Sequence, residues 1–255
     1  MNKAKVYFVG AGPGAVDLIT IRGRSLIEKA DMIIYAGSLV NPELLDYARL
    51  DAEIFDSAKM NLDEVIAKYR EAKERGLMVV RLHTGDPSVY GAVKEQMDAL
   101  DEMGVEYESC PGVSACFGAS SALDLEYTLP GISQSLIITR MAGRTDVPES
   151  ESIESFAAHH ASMAIYLSAG NIKELSERLM AGGYSPNTPA ALVYKATWPE
   201  EKKVISTLFE LPCIAEQNGI TKTALILVGD AIGAKDYEKS KLYDKTFSTE
   251  FRDAK

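Results

Sequence analysis

The sequence predicts an α/β protein with two domains, each built on a mixed or mostly parallel sheet that is flanked by helices. Short, wholly apolar segments alternate with longer amphipathic ones, which is typical of buried strands joined by covering helices. Turns that contain glycine and proline follow several of the apolar segments. The chain has 255 residues, of which 46% are hydrophobic and 25% are charged, so it is long enough for two domains of ordinary size.

The first domain is predicted over residues 1–117 and begins with an apolar strand at 6–9. This strand runs into a glycine loop at 10–14 (GAGPG), and the amphipathic spacing after the loop predicts a helix at 20–30. The other elements predicted here are strands at 31–36, 78–82 and 107–110, helices at 62–74 and 92–103, and a helix of small residues at 114–123 that leads into the second domain. This alternation favours a mostly parallel sheet.

The second domain is predicted over residues 118–235, where a new series of apolar and amphipathic segments begins. Its predicted strands are 135–139, 164–167, 191–194 and 224–228, and its predicted helices lie near 153–159, 172–181 and 212–218. Residues 236–255 alternate charged side chains with Tyr, Ser and Thr and have no apolar period, so we expect a loosely held polar tail.

The composition excludes several classes of partner. A net charge of −10, from 27 basic and 37 acidic residues, argues against nucleic acid, and the one pair of adjacent basic residues, Lys202 and Lys203, follows two glutamates. No apolar run approaches the ~18 residues of a membrane helix, and the first strand reaches glycine too early for a signal peptide. We therefore expect a cytoplasmic protein with no membrane partner. Cys110, Cys116 and Cys213 lack metal-ligand spacing, which favours reduced thiols and no protein-bound metal.

The glycine loop at 10–14 allows more than one interpretation. Gly10, Gly12 and Ala15 have the spacing of a dinucleotide-binding fingerprint, which keeps an NAD-dependent oxidoreductase as an alternative. However, the second strand ends without the acidic residue that binds ribose hydroxyls, and Pro13 removes a backbone N–H that a pyrophosphate needs. An ordinary strand-to-helix turn and a non-catalytic small-molecule binding module also stay open.

Two further loops follow predicted parallel strands, at 84–91 (TGDPSVYG) and at 110–115 (CPGVSA). In the first of them Asp86 precedes Pro87, so this carboxylate either caps the next helix or is presented outward. Because ligands bind at the carboxyl ends of the strands in open α/β sheets, the three loops together predict a ligand-binding cleft.

Several motifs of the chain together carry a family resemblance. They are GAGPG at 10–14 with DLIT at 17–20, YAGSLV at 35–40, RLHTGDPSVYGA at 81–92, TRMAGRT at 139–145, YLSA at 166–169 and VYKATWPEE at 193–201. With these motifs the sequence resembles the tetrapyrrole methylases over nearly all of residues 4–232. The last three are similar to the branch that methylates carbon 11 of precorrin-4 or cobalt-precorrin-4 in cobalamin (vitamin B12) biosynthesis. Ala15 and Asp146 depart from the pattern, since an acidic residue and a proline are usual there.

The resemblance implies S-adenosylmethionine (SAM) as the methyl donor, bound in the cleft between the two domains of a homodimer. It implies SAM contacts at Pro13, Thr84, Gly85, Asp86, Val89, Ser114, Ala115, Leu167 and Ala196. Methyl transfer to an electron-rich ring carbon depends mainly on placement, so Asp86 is the one candidate catalytic residue, as a proton acceptor or an orienting group. The alternative within the same fold is a methylase of uroporphyrinogen III or of another corrin ring, although the Gly-Gly-Asp characteristic of the uroporphyrinogen enzyme is Thr84-Gly85-Asp86 here.

A tetrapyrrole substrate brings several carboxylates, so an acidic protein needs local positive charge to bind it. Arg140 and Arg144 are the predicted substrate-binding residues, because guanidinium groups bind carboxylates through two parallel hydrogen bonds. Lys195 and Arg81 are secondary candidates for the same role.

Two aromatic residues each have two interpretations. His83 ends a predicted strand at the cleft, where it is either a general base or a hydrogen-bonded structural histidine. Trp198 lies in one of the branch-specific motifs, where it either packs on the tetrapyrrole or anchors its own loop.

Overall fold

A computed structural model describes residues 4–255, which form two compact units. The first three residues, part of the N-terminal segment considered for a signal peptide, lie outside the described residues. The first unit is the chain up to Gly118 together with Lys195–Glu200, and the second consists of Ala119–Tyr194 and Glu201–Lys255. The sequence-based division at 117/118 assigned Lys195–Glu200 to the second domain. The structure assigns this segment to the first unit instead, because Trp198 packs on the backbone of the glycine loop.

The first unit contains a sheet of five parallel strands. Their bounds are β1 (Lys5–Gly10), β2 (Met32–Tyr35), β3 (Glu53–Asp56), β4 (Met78–His83) and β5 (Glu106–Cys110), and the helices are α1 (Ile21–Ile27), α2 (Leu62–Arg75) and α3 (Lys94–Met103). The spatial order is β3-β2-β4-β1-β5. The register sets Gly10 beside His83 and Val9 beside Cys110, so β1, β4 and β5 end at one edge of the sheet.

Helix α2 forms because its ends are capped and its apolar face covers the sheet. At the start of α2, Asn61 and Glu64 form a reciprocal capping box, and Gly76 ends the helix in the left-handed conformation. Apolar clusters cover both faces of the sheet. One cluster contains Phe8 and Tyr69, and the other contains Leu82. A sheet covered in this way explains the continuous apolar composition of its central strands.

The order of the strands defines where the first unit can bind a ligand. From β1 the chain crosses to β2 on one side, whereas from β4 it crosses to β5 on the other side. The loops after these two neighbouring strands lead to opposite faces of the sheet, because Ile27 of α1 packs in one apolar cluster and Leu100 of α3 in the other. Such a switch point, at the carboxyl ends of parallel strands, is the usual ligand position in open α/β sheets.

Helix α4 (Ala115–Ala122) carries the chain into the second unit, which has a mixed sheet. Its strands are β6 (Leu136–Arg140), β7 (Ser162–Tyr166), β8 (Pro189–Tyr194), β9 (Lys202–Thr207) and β10 (Ala224–Val228), and its helices are α5 (Ile153–Ala157), α6 (Ile172–Ala181) and α7 (Leu211–Gln217). The spatial order is β6-β7-β10-β8-β9, with β6 and β7 parallel and the other pairs antiparallel. The two-domain α/β class predicted from the sequence is confirmed.

Most predicted elements are present, with ends that differ by a few residues. The sequence did not predict the edge strands β3 and β9, because each mixes charged or polar residues with apolar ones and so forms no apolar run. Residues 236–255 are almost entirely exposed. Across residues 4–255, no helix combines the length and the apolar composition needed to cross a membrane.

Candidate functional site

The loops that leave β1 and β4 are joined through their main chains. The N–H of Gly85 donates to the carbonyl of Gly12 at 2.8 Å, and the N–H of Gly12 donates back to Gly85 at 3.2 Å. Beside this pair, the N–H of Ala11 donates to the carbonyl of His83 at 2.7 Å. The two loops therefore form a single rigid ledge at the switch point of the sheet.

The loop after β5 packs on this ledge so closely that side chains are excluded. A Cβ atom on Gly10 would lie 2.6 Å from both the Cα of Gly112 and the carbonyl oxygen of Gly85. A Cβ atom on Gly112 would lie 2.7 Å from the Cα of Gly10 and would overlap the same carbonyl oxygen. Real Cβ contacts are never so short, so glycine is required at both positions for the three loops to meet.

Asp86 ties the loop after β4 to the loop after β5 through its Oδ2, while its Oδ1 accepts hydrogen bonds within its own loop. Its Oδ1 accepts hydrogen bonds from the N–H and the hydroxyl of Ser88, and its Oδ2 accepts one from the N–H of Gly112 at 2.9 Å. Partial burial raises the pKa of Asp86, but these hydrogen bonds outweigh burial and hold it below its ordinary value. The carboxylate is thus charged at neutral pH, and each of its oxygens accepts at least one hydrogen bond from the protein.

The segment Lys195–Glu200, called the inserted segment below, packs on the glycine loop within the first unit. The indole N–H of Trp198 donates to the carbonyl of Pro13 at 3.1 Å, and the hydroxyl of Thr197 accepts from the N–H of Ala15 at 3.0 Å. A Cβ atom on Gly14 would overlap the indole ring, so the ring lies directly against the main chain. Of the two interpretations of Trp198, the structure favours the structural anchor.

The family assignment follows from comparison with known proteins. A family model described as Tetrapyrrole (Corrin/Porphyrin) Methylases matches residues 5–212. The chain belongs to that family. A cobalt-precorrin-4 C(11)-methyltransferase from Methanocaldococcus jannaschii is 51% identical over 98% of this methylase and 97% of its own length.

Solved structures show the same two-domain fold as this tetrapyrrole methylase. The X-ray structure of the cobalt precorrin-4 methyltransferase CbiF matches it with a TM-score of 0.87 and 43% identity, over 89% of this chain and 95% of that chain. A uroporphyrin-III C-methyl transferase from Thermus thermophilus, complexed with S-adenyl homocysteine, matches with a TM-score of 0.76 and 25% identity, over 90% of this chain and 99% of that chain.

Eight of the nine predicted SAM contacts of this methylase lie in the first unit, on the three loops and the inserted segment. They are Pro13, Thr84, Gly85, Asp86, Val89, Ser114, Ala115 and Ala196. Leu167 belongs to the second unit, where it is 71% exposed and has a positive φ of 54°. The three loops contain no Lys or Arg at 10–15, 84–91 or 110–115, so they offer peptide groups and small side chains without a cation that would repel a sulfonium. This donor set fits SAM.

The two predicted substrate arginines of this methylase lie in the second unit and differ from each other. The Arg140 guanidinium donates to the carbonyls of Thr145 at 3.0 Å and Asp146 at 2.6 Å, so it shapes the loop that follows β6. Arg144, within that loop, is exposed and makes no hydrogen bond or ion pair with the described part of the chain. Arg144 is therefore the residue of the pair whose guanidinium is available to an external anion.

The two secondary cations lie in the first unit and are both engaged. The Lys195 ammonium lies 3.5 Å from a carboxylate oxygen of Glu200 and 5.3 Å from the centre of the Trp198 ring. Arg81 is only 6% exposed, and its guanidinium donates to the side chain of Gln96 and the carbonyl of Ile34, each at 3.1 Å. This geometry favours a structural role for Arg81 over contact with the substrate.

His83 ends β4 as predicted, but its surroundings are those of a core residue. It is 6% exposed, its ring stacks on Phe8 with the centroids 6.4 Å apart, and its Nε2 has no hydrogen-bond partner among residues 4–255. Burial, together with the nearby Arg81 charge, lowers its pKa to about 3. The imidazole is thus neutral and a weak base, which disfavours the general-base interpretation.

Some residues that shape the site were not singled out from the sequence. The buried side chain of Asn41 donates to the carbonyl of Gly14 at 2.9 Å and accepts from the N–H of Glu43, so it supports the glycine loop from the turn after β2. An Asn before a Pro is a usual helix-start signal, but nothing in the pattern indicates the contact with residue 14. Thr197 was missed for the same reason, because its partner Ala15 is 182 positions away.

Proposed function

We propose that this protein is a SAM-dependent C-methyltransferase that methylates carbon 11 of precorrin-4 or cobalt-precorrin-4 in cobalamin biosynthesis. The observation that carries the proposal is the 51% identity over 98% of the chain to a cobalt-precorrin-4 C(11)-methyltransferase. The packed loops at the switch point of the first sheet support it, because they form a rigid ledge of the kind that binds a compact ligand.

SAM binds, in this proposal, on the main chain and small side chains of Pro13, Thr84, Gly85, Val89 and their neighbours in the three loops, with Ala196 and Leu167 completing the contacts. Asp86 acts as a positioning residue, since its Oδ2 joins the loop after β4 to the loop after β5 and its Oδ1 orders its own loop. When bound, SAM supplies a methyl group on a positively charged sulfur, and the electron-rich ring carbon takes this group in line while the bonding electrons stay on the sulfur. The protein contributes mainly placement and the exclusion of water.

The substrate carboxylates bind, in this proposal, to Arg144 and to the loop that Arg140 shapes, with Lys195 as a further contact. The exposed Arg144 guanidinium supports this role, because it has the fork geometry that pairs with a carboxylate. The proposal includes a cytoplasmic homodimer, as family resemblance implies, and light scattering of the purified protein measures its mass.

The test is transfer of labelled methyl from SAM to each candidate ring, followed by mapping of the labelled carbon. We expect one label per ring, at carbon 11, with precorrin-4 or with its cobalt form, and the faster substrate identifies the pathway. Labelling of uroporphyrinogen III alone would instead support the alternative within the same fold. Absence of transfer to all three substrates, from protein that is shown to be folded, would refute the methyltransferase assignment.

A further inference from the structure

The inserted segment contacts three consecutive residues, Pro13 to Ala15, with two consecutive side chains. Trp198, the only tryptophan of the chain, donates its indole N–H to Pro13 and lies against Gly14. Thr197 accepts the N–H of Ala15 at 3.0 Å. The loop is therefore held at its main-chain atoms, and it cannot shift without breaking these contacts.

The ring of Pro13 also lies close to helix α4. A Cβ atom on Gly118, in α4, would lie 2.8 Å from the Cβ of Pro13 and 3.4 Å from a methyl carbon of Thr197. The glycine at 118 thus lets the helix, the loop and the inserted segment meet at one point. Pro13 itself has a φ fixed by its ring, so the loop is stiff by composition as well as by contact.

The inserted segment contains two residues with strained, positive φ angles, which favours a functional role for its conformation. Lys195 has a φ of 46° and Thr197 a φ of 69°, and both residues carry side chains that disfavour this region. A β-branched residue such as Thr is particularly unfavourable there. Strain of this kind persists where surrounding contacts enforce it, and such sites cluster around ligands.

We propose that Trp198 and Thr197 are positioning residues for the methyl donor, which act through the main chain of residues 13–15. This inference rests on the function proposed above, because it takes the glycine loop to be part of the SAM site. The two side chains hold the loop in the shape that receives SAM, while Ala196, the buried residue before them, is itself a proposed contact. Their loss weakens donor binding and leaves binding of the tetrapyrrole unchanged.

The experiment compares Thr197→Val, which keeps the shape but loses the acceptor, with Thr197→Ser, which keeps the hydroxyl. We expect Thr197→Val to raise the Kd for S-adenosylhomocysteine and the KM for SAM about three- to tenfold, the value of one lost hydrogen bond, with the KM for the tetrapyrrole unchanged. In Thr197→Ser, the Kd for S-adenosylhomocysteine and the KM for SAM are expected to equal the wild-type values. Trp198→Phe, which retains an aromatic ring but not the N–H, is expected to have an effect of similar size on donor binding.

Controls separate this inference from the proposed function and from simple misfolding. Thr221→Val, at an exposed position of the second unit, makes the same chemical change and is expected to have no effect. If the wild-type protein itself does not bind S-adenosylhomocysteine in calorimetry, the proposed function is wrong and the inference falls with it. If the wild type binds but folded Thr197→Val binds equally well, or if Thr197→Ser does not restore binding, the positioning role alone is overturned. If Trp198→Phe does not fold, the comparison of Thr197→Val with Thr197→Ser tests the positioning role by itself.

Discussion

Asp86 accepts three hydrogen bonds, and an asparagine at that position can reproduce only part of them. In Asp86→Asn one oxygen becomes an NH2 group, which would face a donor, either the N–H of Gly112 or the groups of Ser88. We expect a loss of about 1–3 kcal/mol in the free energy of unfolding and about a tenfold rise in the KM for SAM. Urea unfolding and steady-state kinetics measure the two effects.

A matched variant separates this role from general-base catalysis. Ser88→Ala removes one of the three hydrogen bonds, so its effects are expected to be smaller than those of Asp86→Asn and of the same kind. A fall in kcat of Asp86→Asn with the KM for SAM and the stability unchanged would contradict the positioning role and favour a proton acceptor.

His83 makes the stability of the protein depend on pH. The folded protein keeps this imidazole neutral down to a pKa of about 3, whereas the unfolded chain binds a proton near the ordinary value of 6.5. The unfolded state therefore holds more protons as the pH falls below about 6.5, and the free energy of unfolding decreases by up to about 1.4 kcal/mol per pH unit from this group. The stabilisation that depends on a neutral His83 is present in full above pH 6.5 and declines as the pH falls towards 3.

Urea unfolding of wild type and His83→Gln between pH 7.5 and pH 4.5 checks this expectation. The variant loses the contact with Phe8 and is expected to be less stable at pH 7, but its stability falls less steeply with acid. His159→Gln, at an exposed position, is the control and is expected to retain the wild-type slope. Parallel curves for wild type and His83→Gln would contradict this expectation, because they would mean that His83 binds a proton over the same pH range in the folded and the unfolded state.

At the residue scale, the sequence indicated which residues matter better than it indicated what they contact. Asp86 was singled out as an acid or an orienting group, and its hydrogen bonds to Ser88 and Gly112 now favour the second. The burial of Arg81 could not be predicted, because an arginine in a central strand is recognised as a core residue only when the facing Gln96 is known. Residue type is local information, whereas burial depends on elements far away in the chain.

At the scale of elements, the central strands and the edge strands β5 and β6 were predicted, whereas the edge strands β3 and β9 were not. Strands β2 and β8 are buried for most of their length, so their apolar runs mark them clearly. In contrast, β3 (EIFD) and β9 (KKVIST) have one open edge and half-exposed side chains, so charge and apolar character are mixed within each of them. Their pairing with a neighbouring strand, and not their composition, makes them strands.

The three loops at the carboxyl ends of β1, β4 and β5 pack so closely that we expect no side chain to be tolerated at Gly112. In Gly112→Ala, the new methyl group would be forced into the main chain of Gly10 and the carbonyl oxygen of Gly85, and rigid backbone cannot yield cheaply. We expect a destabilisation of more than about 2 kcal/mol and the loss of measurable S-adenosylhomocysteine binding. Thermal unfolding and calorimetry measure these effects.

Gly170→Ala is the matched control for that substitution. A Cβ atom at this position would meet only the carbonyl oxygen of Thr221, at an ordinary 3.5 Å. We expect a change in stability within about 0.5 kcal/mol. Wild-type stability and binding in Gly112→Ala would mean that the loops can separate, contrary to the packing described above.

At the scale of the whole molecule, the division into two α/β units was predictable but the path of the chain was not. The alternation of strands and helices restarts near residue 135, and this marks the second sheet. The inserted segment belongs to the first unit although it lies between two strands of the second. Local patterning carries no information about such a contact, since the packing of Trp198 on Gly14 joins positions that are distant in sequence.

The net charge of −10 makes the exposed Arg144 more important than a surface arginine usually is. A polycarboxylate substrate approaches a molecule of the same sign, so its affinity depends on local positive charge. We expect Arg144→Gln to raise the KM for the tetrapyrrole about tenfold at low salt, to leave the KM for SAM unchanged, and to weaken the salt dependence of substrate binding. Arg70→Gln, at an exposed position of α2 in the first unit, removes the same charge from the whole molecule and serves as the control. If both variants raise the KM equally, overall charge and not the Arg144 site governs substrate binding.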